Sequence, residues 1–555
     1  MKLTKKFLAV LMCMVMVLSL TACGNSGNSD STATTPAATE GSADDSSAAE
    51  DTANNSSAAG ELEPMEISIA IWGIQDAFDN ANAETDIIFN DLCEKFNITI
   101  TPIGVTWNDW QEKNLVWAAS GSLPDVFCDA NTSDNLGLYK TWAEQGVIKA
   151  IPSDLSAYSN LETVFNWDSV LPLAIDGTYY MIPRGNEYVS ESSSQSVSSM
   201  GRAIIYRKDW AEAAGYTEAP TTFDELVEMT KAMMEQHPNA VGIAMNNPDY
   251  MQALATDIYP EIGSYSAWTL DEEQWKPTFA SEKTVTYIER LQTLYMDGII
   301  DPDFITQKDG DGVGKFQSGN ACVILSNDID PQVFMASNED VANIEDAIEF
   351  VLPFLAEDGN YYVSPPTAYW SESYISATVD DAKTERILML LDYMYSHEYT
   401  SLVQNGIEGV DWEKTEEGNV SILEDMTLED KYPITQCIGW LSSWQGGFTE
   451  EKVISAIPEI AAYEKLRNAT DALEREMSLT ALPLKTSFYI ALMDNQEKTD
   501  VSGLTADFTA NLNNIIISKE DPQTAWEAMI KDFNAKGLDT AIESVTQQAA
   551  EEGIE

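Results

Sequence analysis

Histidine is almost missing from this 555-residue chain, which has only His237 and His397. Ser-His-Asp and Cys-His catalysis require an imidazole, and most zinc sites use one. His237 precedes Pro238 at a helix end and His397 follows LDYMYS. Neither sits in a motif, so both read as surface or helix-end residues. Cations are also scarce, with 30 Lys and Arg against 91 Asp and Glu and a formal net charge of -61. That balance excludes nucleic acid as a partner and an electrostatic grip on anionic lipid. The acidic excess marks a solvated surface rather than a particular ligand. The six cysteines show no C-x-x-C spacing, which argues against a zinc site. Cys93, Cys128 and Cys322 lie inside apolar patterns and are expected to be buried free thiols.

A long apolar run is lacking as well. FLAVLMCMVMVLSL (7–20) is too short to span a bilayer, and it follows Lys2, Lys5 and Lys6. This is the layout of a secretory signal peptide, assigned to residues 1–22. It ends in Leu20-Thr21-Ala22-Cys23, which resembles the bacterial lipobox rather than an A-x-A cleavage site. In such signals the cysteine becomes the first residue and carries lipid, so Cys23 is the expected lipidated residue. The lipid anchors without spanning. The alternative is an ordinary secreted protein with a chance cysteine. Residues 24–60 are Ser, Thr, Ala, Asp, Glu, Asn and Gly with one proline, a composition that cannot form a core. As a flexible coil they reach roughly 30–35 Å.

The remainder is rich in core-forming residues, with 14 Trp and 22 Tyr in the chain. MEISIAIWG (65–73) reads as a buried strand. Ile87, Ile88, Leu92 and Phe96 mark a helix leading into a second strand, and WQEKNLVWAASGSLPDVFCDA a helix, a break and a third strand. This alternation predicts an α/β fold with a parallel sheet, in which ligands collect beyond the carboxyl ends of strands. Trp72 and Asp129-Ala130-Asn131 occupy such ends. Further on, Thr222-Phe-Asp-Glu225 fits a helix capping box with Pro220 just ahead.

In that region, Arg-Lys-Asp-Trp, a short helix ending in Gly-Tyr, and Pro-Thr-Thr-Phe-Asp-Glu-Leu (207–226) resemble the family 1 extracellular solute-binding proteins of bacterial ABC transporters. GSLPDVF (121–127), AIDGTYYMIP (174–183), GKFQSGNACVILS (314–326), NGIEGVDW (405–412) and the closing segment from Asp521 look like that family's segments in its order. Trp412 replaces its Tyr, and the Tyr and Arg often found at its end are missing. The resemblance implies a two-lobed periplasmic-binding-protein-like fold with a hinge and an interlobe ligand cleft. By that analogy lobe 1 is 65–200 plus 366–412, and lobe 2 is 201–365 plus 413–555.

KDGDGVGKF (308–316) tests the enzyme-like readings. As a phosphate loop it fails, because Asp309 stands at the first glycine and Phe316 at the magnesium-binding Ser or Thr. As a calcium loop, Asp309, Asp311 and Gly314 fit, but Val313 and Asn320 occupy ligand positions. It reads as an acidic turn. Some relatives carry a structural calcium, which leaves a site elsewhere open. Carboxylate pairs are too abundant to indicate a glycosidase. Binding of a neutral sugar wants flat aromatics and planar polar groups. Trp72, Trp107, Trp110, Trp268, Trp370, Trp440 and Trp444 lie at strand ends or in loops, whereas Trp117, Trp210 and Trp526 sit on helical faces. Of the loop tryptophans, Trp72, Trp268, Trp370, Trp440 and Trp444 are the candidate ligand contacts. The polar candidates are Asp129, Asn131, Arg184 and Asp328, with Glu408 either a ligand contact or a turn cap.

The expectation is a lipid-anchored, monomeric solute-binding protein on the extracellular face of the cytoplasmic membrane. It captures a sugar or oligosaccharide and hands it to ABC permease subunits, without catalysis, metal or cofactor. The rivals are a peptide or other small-molecule ligand, a surface glycoside hydrolase, and an adhesion or scaffolding lipoprotein.

Overall fold

A computed structural model describes residues 62–80, 86–167, 170–185, 203–258, 267–326, 328–356, 359, 361, 369–416, 418–442, 453–478, 490 and 493–554. The first sheet joins β1 (Met65–Ala70), β2 (Ile98–Pro102), β3 (Val126–Asp129), β4 (Ile182–Gly185) and β11 (Tyr369–Ile375) in the order β2-β1-β3-β11-β4. β1 pairs in parallel with β2 and β3, and β11 is antiparallel to β3 and β4. The first expected strand ends at Ala70, and Trp72 then bridges in parallel to Val105 beyond β2.

The second sheet has β5 (Ala203–Arg207), β6 (Val241–Met245), β9 (Ala321–Ser326) and β10 (Ile348–Val351) in the order β10-β5-β9-β6. Its antiparallel strand is β5, where the chain arrives from the first sheet, just as β11 is where it returns. Each sheet therefore accepts one strand of reversed direction at a crossing. A hairpin of β7 (Trp268–Asp271) and β8 (Gln274–Pro277) flanks the second sheet. A small sheet of β12 (Trp412–Thr415), β13 (Gly418–Ser421) and β14 (Val453–Ile454) lies apart from both.

Two-residue periodicity explains the packing. Ile204 and Tyr206 face one core of the second sheet, with Ile243, Met245, Val323 and Leu325. Ile205 faces the other, with Ala244, Ile324 and Phe350. The helix Phe223–Gln236 starts as its sequence specifies, for Thr222 Oγ1 accepts from Glu225 N at 3.3 Å and Glu225 Oε2 accepts from Thr222 N at 3.2 Å. Cys93, Cys128, Cys322 and Cys437 are all free.

A separate core surrounds the first sheet, and it holds Tyr432, Ile434, Ile438 and Leu441. The expected boundary at residue 413 thus divides a packed unit. The cause is Asp86, which is buried and accepts from Ile434 N at 2.9 Å, Thr435 N at 3.0 Å and Thr435 Oγ1 at 2.6 Å. The helix Pro433–Gly439 is thereby fastened to the start of the helix Ile87–Phe96. The chain joins the second lobe again in the helix Pro458–Ser478, through Tyr463.

Candidate functional site

Five tryptophans meet beyond the carboxyl ends of the first sheet's parallel strands. Trp72 follows β1, Trp107 and Trp110 follow β2, Trp370 stands near the start of the reversed strand β11, and Trp440 caps the helix Pro433–Gly439. Trp72 is central. Its ring centroid lies 5.0 Å from that of Trp107, 5.2 Å from Trp110, 5.7 Å from Trp440 and 6.5 Å from Trp370. Trp107 stacks on Trp110 at 6.0 Å and lies 5.8 Å from Trp370. Edge-to-face and offset pairs of this kind each add about 0.5–1.5 kcal/mol beyond the area they bury.

The rings divide into a base and a face. Trp72 and Trp110 are 6% exposed, whereas Trp107 is 37% exposed and Trp440 39%. Trp370 is half-buried. The three outer rings offer flat apolar surface on a rigid aromatic foundation.

Arg184 braces that foundation. Its guanidinium lies 4.6 Å from the Trp72 ring centroid, Nη1 donates to Ser371 Oγ at 2.5 Å, and Nε donates to the Trp440 carbonyl. The residue is fully buried. Arg184 is expected from the sequence to be a polar ligand contact, but it stands behind the tryptophans, because β4 pairs with β11 and turns its side chain inward. Burial pulls its pKa down.

Beside it sits a polar knot at the β3–β11 pairing. Glu372 is wholly buried and accepts from Thr132 Oγ1 at 2.5 Å, Thr132 N at 3.2 Å and Tyr374 Oη at 2.6 Å. Loss of hydration pushes its pKa up to about 8, partly opposed by the Thr132 and Tyr374 hydrogen bonds. Asp129, opposite Glu372 in the register, accepts from Asn114 Nδ2 at 3.0 Å and from Ala130 N at 2.9 Å. Asn131 is 5% exposed, and its Nδ2 has no hydrogen-bond partner among the described residues. Asp129 and Asn131 do lie at the strand end, but inside it.

The remaining candidates are elsewhere. Trp268 is 6% exposed in the second lobe's core, on the β7–β8 hairpin, which packs against the helix Leu538–Glu552, where Trp275 N donates to Thr546 Oγ1 at 2.9 Å. Asp328 belongs to the second lobe and is paired with Arg467 at 2.8 Å. Glu408 is exposed and paired with Lys414 at 3.4 Å, and the turn beside it is held by Asp411, which accepts from Ile407 N at 2.7 Å. Trp444 and Cys23 lie outside the described residues. Trp107 and Trp110, not chosen from the sequence, belong to the cluster. Their position just past β2 matches that of Trp72 past β1, which was the available signal.

Among the described residues no group of three His, Cys, Asp or Glu side chains is placed to hold a metal ion. In KDGDGVGKF, Asp309 accepts from Asn247 Nδ2 and Asp311 from Lys308 N at 3.0 Å. Gly312 serves packing, since a Cβ there would lie 1.9 Å from the Met245 carbonyl oxygen. His237 stacks on Trp210 at 3.6 Å at the end of its helix, and His397 opens another. No helix among the described residues is long and apolar enough to cross a membrane.

Residues 76–401, more than half of the chain, match the model of a family described as bacterial extracellular solute-binding protein. The polygalacturonan/rhamnogalacturonan-binding protein YtcQ of Bacillus subtilis (strain 168) is 24% identical over 340 residues, 58% of this chain and 63% of YtcQ. The match thus spans less than two thirds of that relative. The solved structure of alginate-binding protein AlgQ2 superposes with a TM-score of 0.64 at 16% identity, covering 87% of this chain and 98% of that one. The S. pneumoniae ABC-transporter substrate-binding protein FusA in complex with kestose gives 0.62 at 16% identity, covering 88% and 99%. These likenesses establish the two-lobed fold.

Proposed function

The chain belongs to the bacterial extracellular solute-binding protein family, and from that premise we propose that it is the lipid-anchored, ligand-capturing component of an ABC importer for a sugar or oligosaccharide. It is a binding protein and not an enzyme. The observation that carries the sugar reading is the cluster of five tryptophans at the first sheet's carboxyl end, with three rings partly open. A pyranose or furanose ring has an apolar C–H face that suits Trp107, Trp370 and Trp440. Trp72, Trp110 and Arg184 keep those rings in place before ligand arrives, which limits the ordering loss on binding. The glycan ligands named for YtcQ, AlgQ2 and FusA lend support.

The mechanism requires no bond to be broken. The first lobe holds the ligand by stacking, and the second closes over it about the two crossings, so that the closed form has the higher affinity. The closed, loaded form is the one presented to the permease. A lipid on Cys23 and the tether of residues 24–60 keep it near the membrane.

Thermal-shift measurements on the full chain against neutral and acidic oligosaccharides, with peptides as controls, test the ligand class. A glycan at 100 times its Kd stabilises by about 2.7 kcal/mol. Shifts with peptides alone would overturn the sugar reading, and glycan shortening during incubation would point to hydrolysis. Cys23→Ala is expected to release the protein from membranes, with loss of the lipid mass on the wild-type N-terminus.

A further inference from the structure

The second lobe carries an exposed ion pair on the side where the chain crosses to the first. Ser326, at the carboxyl end of β9, pairs with Ala203, where the chain arrives from the first sheet. Val351, where the chain leaves again, pairs with Ile204. Both crossings therefore lie beside the end of β9. In the first sheet Gly185 pairs with Tyr369 in the same way, next to Trp370. The end of β9 and the tryptophan cluster thus lie on the crossing sides of their lobes, beyond strand carboxyl ends, where ligands collect.

Asp328 follows β9 at this place. Ser326 Oγ donates to its carbonyl at 2.8 Å, and its own Oδ1 accepts from Ile329 N at 2.9 Å, so the side chain is held. Arg467, on the helix Pro458–Ser478, donates through Nη1 to Asp328 Oδ2 at 2.8 Å. The Asp328 side chain is 53% exposed and that of Arg467 29%, so both are open to solvent. Among the described residues this is the only hydrogen bond of the guanidinium, which leaves Nε and Nη2 as donors. The pair offers an acceptor and donors side by side and has no net charge.

We propose that Asp328 and Arg467 are the polar jaw of the site, which grips neighbouring hydroxyls of a neutral sugar ring held on the tryptophan face. The Asp328 carboxylate accepts from one hydroxyl, and the guanidinium donates to the next oxygen. Such charge-assisted hydrogen bonds are roughly twice as strong as neutral ones. Stacking comes from the first lobe and hydrogen bonding from the second. A uronate ring suits the jaw poorly, because its carboxylate would stand beside that of Asp328. Asp249 past β6 and Asp330 past β9 are also exposed. The proposal rests on the sugar reading of the tryptophan face.

The test is calorimetric titration of the full chain with kestose, maltotriose and trigalacturonate. Wild type is compared with Arg467→Gln, Asp328→Asn and Trp107→Ala. For a neutral trisaccharide that binds, Arg467→Gln and Asp328→Asn each weaken binding about tenfold. Asp328→Asn leaves the Arg467 charge unmatched, so it has the opposite effect on trigalacturonate, a gain of up to about fivefold. Melting temperatures within a few degrees of wild type would show that the folds are intact, as expected for an exposed pair. Should one jaw variant fail to fold, the other decides. If both bind neutral sugars as wild type does while Trp107→Ala weakens binding, the pair is a surface ion pair only and this proposal falls alone. Binding of trigalacturonate by wild type more tightly than the neutral sugars, lost in Arg467→Gln, would overturn the neutral class. If none of the three binds wild type, the proposal falls together with the sugar reading.

Discussion

In the first lobe, Trp72, Trp107, Trp110, Trp370 and Trp440 gather beyond the sheet, and three of the rings reach solvent. In the second lobe, Trp268, Trp275 and Trp526 are buried in a core, where the Trp526 indole donates to the Phe279 carbonyl at 2.9 Å. Both sheets contain one reversed strand, so strand topology alone does not produce the difference. It comes from where each chain segment turns. Trp72, Trp107 and Trp370 stand at strand ends, whereas Trp268 and Trp275 lie on a hairpin packed against the helix Leu538–Glu552.

Two buried acids, one from each lobe, also differ. In the second lobe Asp301 is fully buried and meets Lys315 at 2.6 Å. In the first, Glu372 accepts from hydroxyl and amide donors only, among the described residues. Asp301 is thus matched by a cation, as Asp411 is by Lys431 in the first lobe, whereas Glu372 favours protonation.

The largest expected effect separates packing from binding. Trp268→Ala should remove about 3–5 kcal/mol of stability in urea unfolding and leave sugar affinity unchanged in the folded fraction. Trp107→Ala should cost less stability, about 1.5–2 kcal/mol for the three ring pairs it loses, and lower affinity by near 2 kcal/mol, roughly 30-fold. Equal stability losses for the two variants would erase the distinction.

Next in size is a pH effect confined to the first lobe. The Glu372 pKa is raised from 4.5 to about 8, so between those values the folded chain binds a proton that the unfolded chain has lost. Its contribution is full below about pH 4.5 and declines as pH rises toward 8, by on the order of a few kcal/mol. Glu372→Gln should flatten that slope in unfolding titrations between about pH 5 and 8. An unchanged slope would mean that the carboxylate is ionised in the fold. The smallest effect belongs to the second lobe. Thr222→Ala removes the Glu225 N partner and should lower stability by about 1 kcal/mol without altering affinity for a sugar.

Local features were legible from the chain. The alternation of β1, β2 and β3 with helices, the capping box and the strand-end position of Trp72 need only neighbours in sequence. The candidate residues Trp72, Trp370 and Trp440 do come together. Arg184 and Trp268 show the limit. Both sit at strand positions that look open in sequence, yet Arg184 lies behind Trp72 and Trp440, and the β7 hairpin packs against the helix Leu538–Glu552.

By itself, the sequence determined the class of fold, the helix starts, the free thiols' apolar settings and the poverty of imidazole, because each depends on residue type and short-range spacing. Tertiary structure alone decided which tryptophans form the cluster, that Arg184 supports Trp72 and that Glu372 is buried among the Thr132 and Tyr374 donors. Those outcomes depend on pairings across hundreds of residues, such as Glu372 with Asp129 and Asp86 with Thr435. Spacing along the chain has no means of specifying which face such a pairing closes.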